Sequence, residues 1–239
     1  MKTKILDHAL RCGAVECCGF VINNSIYIEC ENIAKDPFNY FEISTDDWIK
    51  AEEMGQITAI VHSHPNGLPI LSEADQFYQQ KTAVDWWLVC NKKIHKFRYM
   101  QPLIGRNFNH GSVDCLSILL DSYMLMGIEL PNYHRENEWW HNGKDYYIDL
   151  LPKNGFYQVK LNQVQEGDVI LFALAGKIAN HAAIYVGNNL ILHHLPKRHS
   201  KRDLFAGYWL KHYHSIWRHK TWQSSNFTAI LSNMVINTR

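Results

Sequence analysis

Residues 61–75 read VHSHPNGLPILSEAD, which sets two imidazoles, a hydroxyl and a carboxylate in a short span. The run just before it, Ile57-Thr58-Ala59-Ile60-Val61, is β-branched and apolar and predicts a buried strand. His62 and His64 continue that strand. Side chains alternate faces along a strand, so both imidazoles point one way and Ser63 points the other. Pro65 ends the strand, Asn66-Gly67 turns the chain, and Ser72-Glu73-Ala74-Asp75 opens a helix that runs to about Thr82. His62, His64 and Asp75 then form a three-ligand set with an open fourth position, the pattern of catalytic zinc. Zinc there would lower the pKa of water to about 7, with an upstream carboxylate as the usual base. A second reading stands beside this one. Ser-x-x-Asp before an apolar run is also a helix capping box that involves no metal.

A second reactive set lies downstream. Leu116, Leu119, Leu120 and Tyr123 recur at helical spacing, with Ser112 or Asp114 able to cap the helix and Gly127 to end it. Cys115 falls in the first turn, where the helix dipole favours a thiolate. Such a Cys is a nucleophile if a His approaches it, and ordinary core filling otherwise. Residues 169–174, 181–187 and 190–193 predict an antiparallel meander with a turn at Asn188-Asn189. His181 begins one strand and His193 ends its neighbour, so the hairpin brings both to one sheet edge. His181 would take the thiol proton and His193 would hold its ring and tautomer. His194 faces the other way and competes for that second role.

Other elements must position these groups. Residues 1–12 predict a helix, residues 16–22 and 26–30 a hairpin about Asn23-Asn24-Ser25, and Phe41-Glu42-Ile43 a short strand. Thr45-Asp46-Asp47 caps a helix carrying Trp48, Ile49 and Ala51. Residues 86–90 and 96–99 predict a closing hairpin around Asn91-Lys92-Lys93. This mixture of helices and strands indicates an α/β domain over residues 1–100. The segment QPLIGRNFNHG, residues 101–111, marks the boundary. Residues 131–157 are rich in Trp, Tyr, His and Asn, and either line a groove or pack a long loop. Residues 223–239 form a tail that docks on a partner or frays.

The chain has 239 residues, enough for one large or two small domains. It is 46% hydrophobic and 13% aromatic, which argues for real cores and against disorder. A net charge of +1 makes no electrostatic case for nucleic acid, and the fourteen His add positive charge only below neutrality. Six Cys without regular spacing fit reduced thiols, with Cys17, Cys18, Cys30 and Cys90 read as core packing. The first dozen residues hold no signal-peptide core, and no apolar run is long enough to span a membrane.

H-S-H-P followed by S-x-x-D resembles the JAMM/MPN metalloproteases, whose fold is cytidine-deaminase-like α/β. The resemblance implies Zn2+ held by His62, His64 and Asp75, with Ser72 beside the oxyanion. Glu16, in an E-x-C-G-hydrophobic start, would be the general base. D-C at a helix start, G-D-V-I-L-F, H-A-A-I-Y-V-G-N-N and I-L-H-H are similar to the NlpC cysteine peptidases of bacterial cell walls. That resemblance implies a papain-like α+β domain over residues 101–222, with Cys115 as nucleophile, His181 as base and His193 as third residue. The usual D-C-S-G is D-C-L-S here.

The order of the two modules resembles the tail tip assembly proteins of lambda-like siphophages and prophages. Pro131, Arg135, the Trp139-Trp140 pair and the stretch YWLKHYHSIWRH fit that resemblance. It implies a zinc (iso)peptidase joined to a cysteine endopeptidase that cuts peptidoglycan stem peptides. The implied partners are other phage tail tip proteins and peptidoglycan peptides. The implied places are the host cytoplasm during assembly and the virion tail tip. The alternative is a structural assembly component whose sites are vestigial.

Overall fold

The computed structural model describes residues 1–236, which divide into two compact units, Met1–Met100 and the residues from Gln101 onward. The first unit is built on a five-stranded sheet of β1 (Cys18–Ile22), β2 (Ile26–Cys30), β3 (Ile57–Ser63), β4 (Asp85–Cys90) and β5 (Lys93–Phe97). The strand order is β2-β1-β3-β4-β5, and only the β3–β4 pair is parallel. That pair needs a crossover, which α3 (Glu73–Thr82) supplies.

Strand parity sorts the core onto both faces of this sheet. Phe20, Ile22, Ile60, Trp86 and Leu88 pack on one side with Ala51 of α2 (Thr45–Met54). Val21, Ala59, Val61, Trp87 and Val89 pack on the other with Ile5 of α1 (Lys2–Cys12). Cys18, Cys30 and Cys90 fill the first of these cores as small apolar groups. Gly19 is required for close approach, because a Cβ there would stand 2.2 Å from the Ile28 carbonyl oxygen.

Two local expectations are corrected here. Residues 41–43 form no strand. The Glu42 N–H bonds the Asn32 side chain and its carbonyl accepts from Ile33, so the segment is pinned to a loop. The β4–β5 hairpin turns on Asn91 and Lys92, both with positive φ (51° and 59°), which brings the return strand forward to Lys93. Two left-handed residues match the tight turn that suits strand twist.

The second unit carries a fully antiparallel sheet in the order β10-β9-β8-β7-β11-β6. Its strands are β6 (Phe156–Val159), β7 (Val169–Phe172), β8 (His181–Tyr185), β9 (Leu190–His193), β10 (Lys201–Leu204) and β11 (Tyr213–His219). Helix α4 (Cys115–Leu125) lies on β8 and β9. The aromatic segment contains α5 (Tyr146–Lys153), and α6 (Tyr208–Lys211) leads into β11. Two ion pairs with buried carboxylates tie these pieces together. Arg218 grips Asp168 through two bonds of 2.8 Å, and Arg106 pairs with Asp121.

Residues 224–235, within the stretch expected as a tail, form α7 (Ser224–Val235). Phe227, Ile230 and Met234 are buried, the Asn226 amide donates to the Met126 carbonyl, and Asn233 accepts from the Leu103 N–H. Residues 237–239 lie outside the described residues. Phe227→Ala should therefore cost the second unit about 3–5 kcal/mol, the range for truncating a buried aromatic. Denaturant titration followed by fluorescence measures this; a change below 1 kcal/mol would show that the helix is not part of the fold.

Candidate metal and thiol centres

In the first unit, β3 delivers His62 at its end and His64 just past it. His62 is fully buried, with Phe41 stacked 4.8 Å away and Trp86 edge-on at 5.4 Å. His64 is fixed by its Nδ1, which lies 3.2 Å from the Leu68 carbonyl and so carries the proton. That leaves Nε2 as a lone pair aimed inward. Ser63 faces away, as strand parity demands, and accepts from the Cys17 N–H at 2.8 Å. Asp75 arrives from the first turn of α3. There the capping box also exists. The Ser72 Oγ accepts from the Asp75 N–H at 3.1 Å and the Asp75 carboxylate accepts from the Ser72 N–H at 2.8 Å. The two readings of Ser72-x-x-Asp75 are thus compatible, because a carboxylate has lone pairs for both tasks.

The donor atoms converge. His62 Nε2 and His64 Nε2 are 3.1 Å apart, and they lie 3.5 and 3.3 Å from Asp75 Oδ2. A tetrahedral ion with ligands at about 2.0–2.1 Å has edges of about 3.3 Å, so this triangle is the right size for zinc. Glu16, just before β1, places its Oε1 4.0 Å from His64 Nε2. Burial raises the Glu16 carboxyl to about 7, against the lowering effect of His64 and with Asp75 adding to the rise. Burial also pushes the Asp75 carboxyl up, but His62 and His64 outweigh it and hold it well below the usual range. Among the described residues this is the grouping of His, Cys and carboxylates that could hold a metal ion.

In the second unit, Cys115 is the first residue of α4, behind the N-cap Asp114. Asp114 and Ser117 form a second capping box, with bonds of 3.0 and 2.7 Å. The remaining oxygen of Asp114 meets Arg135, at 2.7 Å and buried. Burial raises the Asp114 carboxyl, and Arg135 outweighs it to leave a lowered value. Cys115, His181 and His194 line one cavity of about 240 Å³ with Tyr147, Trp139 and Trp140. The sulfur's side-chain partner is the Tyr147 hydroxyl at 3.3 Å. Burial pushes the Cys115 thiol up, Asp114 adds to this, and Tyr147 and the Ala182 N–H oppose it. Burial holds His181 well below its usual value, with His193 and His194 acting in the same direction. The resting pair is therefore neutral thiol and neutral imidazole.

His193 sits beside His181, with ring centroids 5.4 Å apart and nearly perpendicular, and Trp209 packs on both. His194 lines the cavity but is bonded elsewhere, its Nε2 3.1 Å from the Arg198 carbonyl and its ring edge-on to Phe108. Three further residues complete the surroundings. Tyr147 and Arg135 sat in the aromatic stretch without an assigned contact. Asp203, 3.0 Å from His193 Nε2, was not singled out, because its strand gave no apolar alternation to read.

The Arg135–Asp114 pair makes a checkable demand. Arg135→Met leaves a buried carboxylate unpaired, which should cost about 3–5 kcal/mol at neutral pH. The pairing lowers the folded-state pKa of Asp114, so its stabilisation is complete above the ordinary carboxylate range and fades as pH falls through the lowered value. Without Arg135 the raising effect of burial on Asp114 is no longer outweighed, so urea titration at pH 7 and at about pH 4 should show the deficit narrowing as the variant's carboxyl takes up a proton; equal stabilities at pH 7 would contradict it.

Residues 1–101 match the prokaryotic homologs of the JAB domain, and residues 105–218 match the NlpC/P60 family. The chain is 48% identical over 193 residues to tail tip assembly protein K of Escherichia phage lambda, covering 81% of this chain and 97% of that protein. It is 32% identical over 234 residues to tail tip assembly protein K of Escherichia phage N15, covering 92% and 96%. Among solved structures it is similar to an NlpC/P60 family protein from Bacillus cereus ATCC 10987, at 15% identity and a TM-score of 0.42, covering 91% of this chain and 66% of that one. With a JAB-like first unit and an NlpC/P60 second unit, the chain belongs to the tail tip assembly protein K family.

Proposed function

We propose that the second unit is a cysteine endopeptidase acting on the stem peptides of peptidoglycan, and that the first is a zinc-dependent peptidase or isopeptidase. Both would serve phage tail tip assembly, in the host cytoplasm and then at the tail tip. The observation that carries the reading is the shared cavity: Cys115, at a helix N-terminus, and His181, at a strand start, open onto the same space of about 240 Å³. The Cys115 thiol gives its proton to His181, and the sulfur attacks the peptide carbonyl. The Ala182 N–H and the α4 N-terminus favour the negative sulfur. His181 returns the proton to the leaving amine, and His193 steadies its ring. Trp139 and Trp140 flank the substrate in the cavity.

In the first unit, His62, His64 and Asp75 would hold the zinc, Glu16 would move protons beside it, and Ser72 would face the oxyanion. A bound zinc would supply a Lewis acid at the point where the three donors meet. Glu16 suits its role because its raised pKa lets it both take and give a proton near neutrality.

One observation favours a second reading, a scaffold with vestigial sites: the sulfur bonds Tyr147 rather than an imidazole. Two variants separate the readings. Cys115→Ala should abolish stem-peptide cleavage while leaving zinc content unchanged. His62→Ala should lose zinc while retaining that cleavage. Purified wild-type protein with neither zinc nor cleavage would establish the scaffold instead.

A further inference from the structure

The residues of β8, β9 and β10 carry a diagonal that the triad does not use in full. Ala183 pairs with His193, and His193 pairs with Lys201. His181 lies two residues before Ala183 and Asp203 two residues after Lys201. Alternation puts all of them on one face, and diagonal neighbours across strands lie within reach of long side chains. His193 is therefore flanked by His181 on one side and Asp203 on the other.

The nitrogen inventory gives this diagonal a direction. His193 Nε2 is 3.0 Å from the Asp203 carboxylate. A carboxylate only accepts, so that nitrogen carries the proton and His193 Nδ1 is a lone pair. His193 Nδ1 is buried without a partner, and so is His181 Nε2, on a ring whose centroid is 5.4 Å away. Two bare buried nitrogens on adjacent rings are costly unless they meet. With a proton on His181 Nε2 and a lone pair on His193 Nδ1, the two nitrogens are complementary as donor and acceptor. His181 Nδ1 is then the lone pair left for the cavity and for the Cys115 proton. Lys201, which also pairs with Asp203 at 2.7 Å, and His194 are the other titratable groups around this line.

We infer that Asp203 is a positioning residue for the thiol centre: through His193 it sets the tautomer of His181 and leaves Nδ1 free to take the proton from Cys115. This rests on the reading that Cys115 and His181 perform the peptidase chemistry. When the proton moves to His181, the positive charge is shared towards a carboxylate two rings away. Asp203 touches neither sulfur nor substrate. Its effect is on the thiolate–imidazolium balance, which a purely structural residue would not alter.

The test uses the full chain and reads iodoacetamide alkylation of Cys115 by peptide mass mapping across pH. Asp203→Asn keeps the shape of the side chain and removes its charge. It should move the alkylation midpoint up by about one pH unit, about a tenfold slowing at neutral pH. Arg202→Ala, on the opposite face of β10, serves as control and should leave the midpoint in place. An unchanged midpoint in Asp203→Asn overturns the proposal. Histidine nitrogen NMR of the wild-type protein above pH 8 needs no variant: it should find His193 and His181 both protonated on Nε2. A proton on His193 Nδ1 overturns the proposal as surely. Stem-peptide cleavage that survives Cys115→Ala would instead sink the Cys115–His181 reading, and the tautomers would still decide the part played by Asp203.

Discussion

Each centre hangs on a carboxylate buried in the capping box at a helix start. Asp75 closes the capping box of α3 and Asp114 closes that of α4. In both cases the reciprocal bond to the backbone satisfies donors that a helix start would otherwise leave bare. In both cases the carboxylate has further partners, and one set of them defines the site. For Asp75 it is the pair of imidazoles from β3; for Asp114 it is the guanidinium of Arg135. A buried carboxylate is tolerable only when so engaged, which ties reactive groups to the first turn of each helix. Cys115 inherits its position from this constraint, being the residue next to Asp114.

Strand register does the rest. His62 and His64 share a side because they are two apart at the end of β3, and the crossover through α3 returns Asp75 to the same point. In the second unit the β8–β9 register sets His181 and His193 on one face beneath Trp209. Burial then sets protonation. It depresses both imidazoles and raises the thiol, so the resting thiol centre is uncharged. The α4 N-terminus and the Ala182 N–H face the sulfur and oppose the effect of burial on the thiol. The first unit behaves in the opposite sense, keeping an ionised Asp75 next to a Glu16 poised near neutrality.

Much of this was legible in the residues. The strand before His62, the helix after Ser72, the helix of Cys115 and the 181–193 meander all carry strong periodicity or unambiguous turn residues. Ser72-x-x-Asp75 supported two readings, and the structure contains the geometry of both. Phe41-Glu42-Ile43 looked like a strand because it is short and apolar at its ends, but Asn32 claims its backbone. The β5 boundary slipped because Asn91-Lys92 turns in two residues rather than three. The C-terminal helix was missed because its buried Asn226 and Asn233 read as polar until their carbonyl and N–H partners are seen. Tyr147 and Asp203 could not be assigned from sequence, since each acts through a tertiary contact with a residue more than nine positions away.

The central claim is that this chain holds a thiol peptidase centre that works independently of its metal centre. Digestion of purified muropeptides, read by mass spectrometry with and without a zinc chelator, tests it most directly. The account predicts that a stem-peptide bond is cut in both arms. Intact muropeptides in both, or cleavage that vanishes with the chelator, would contradict it.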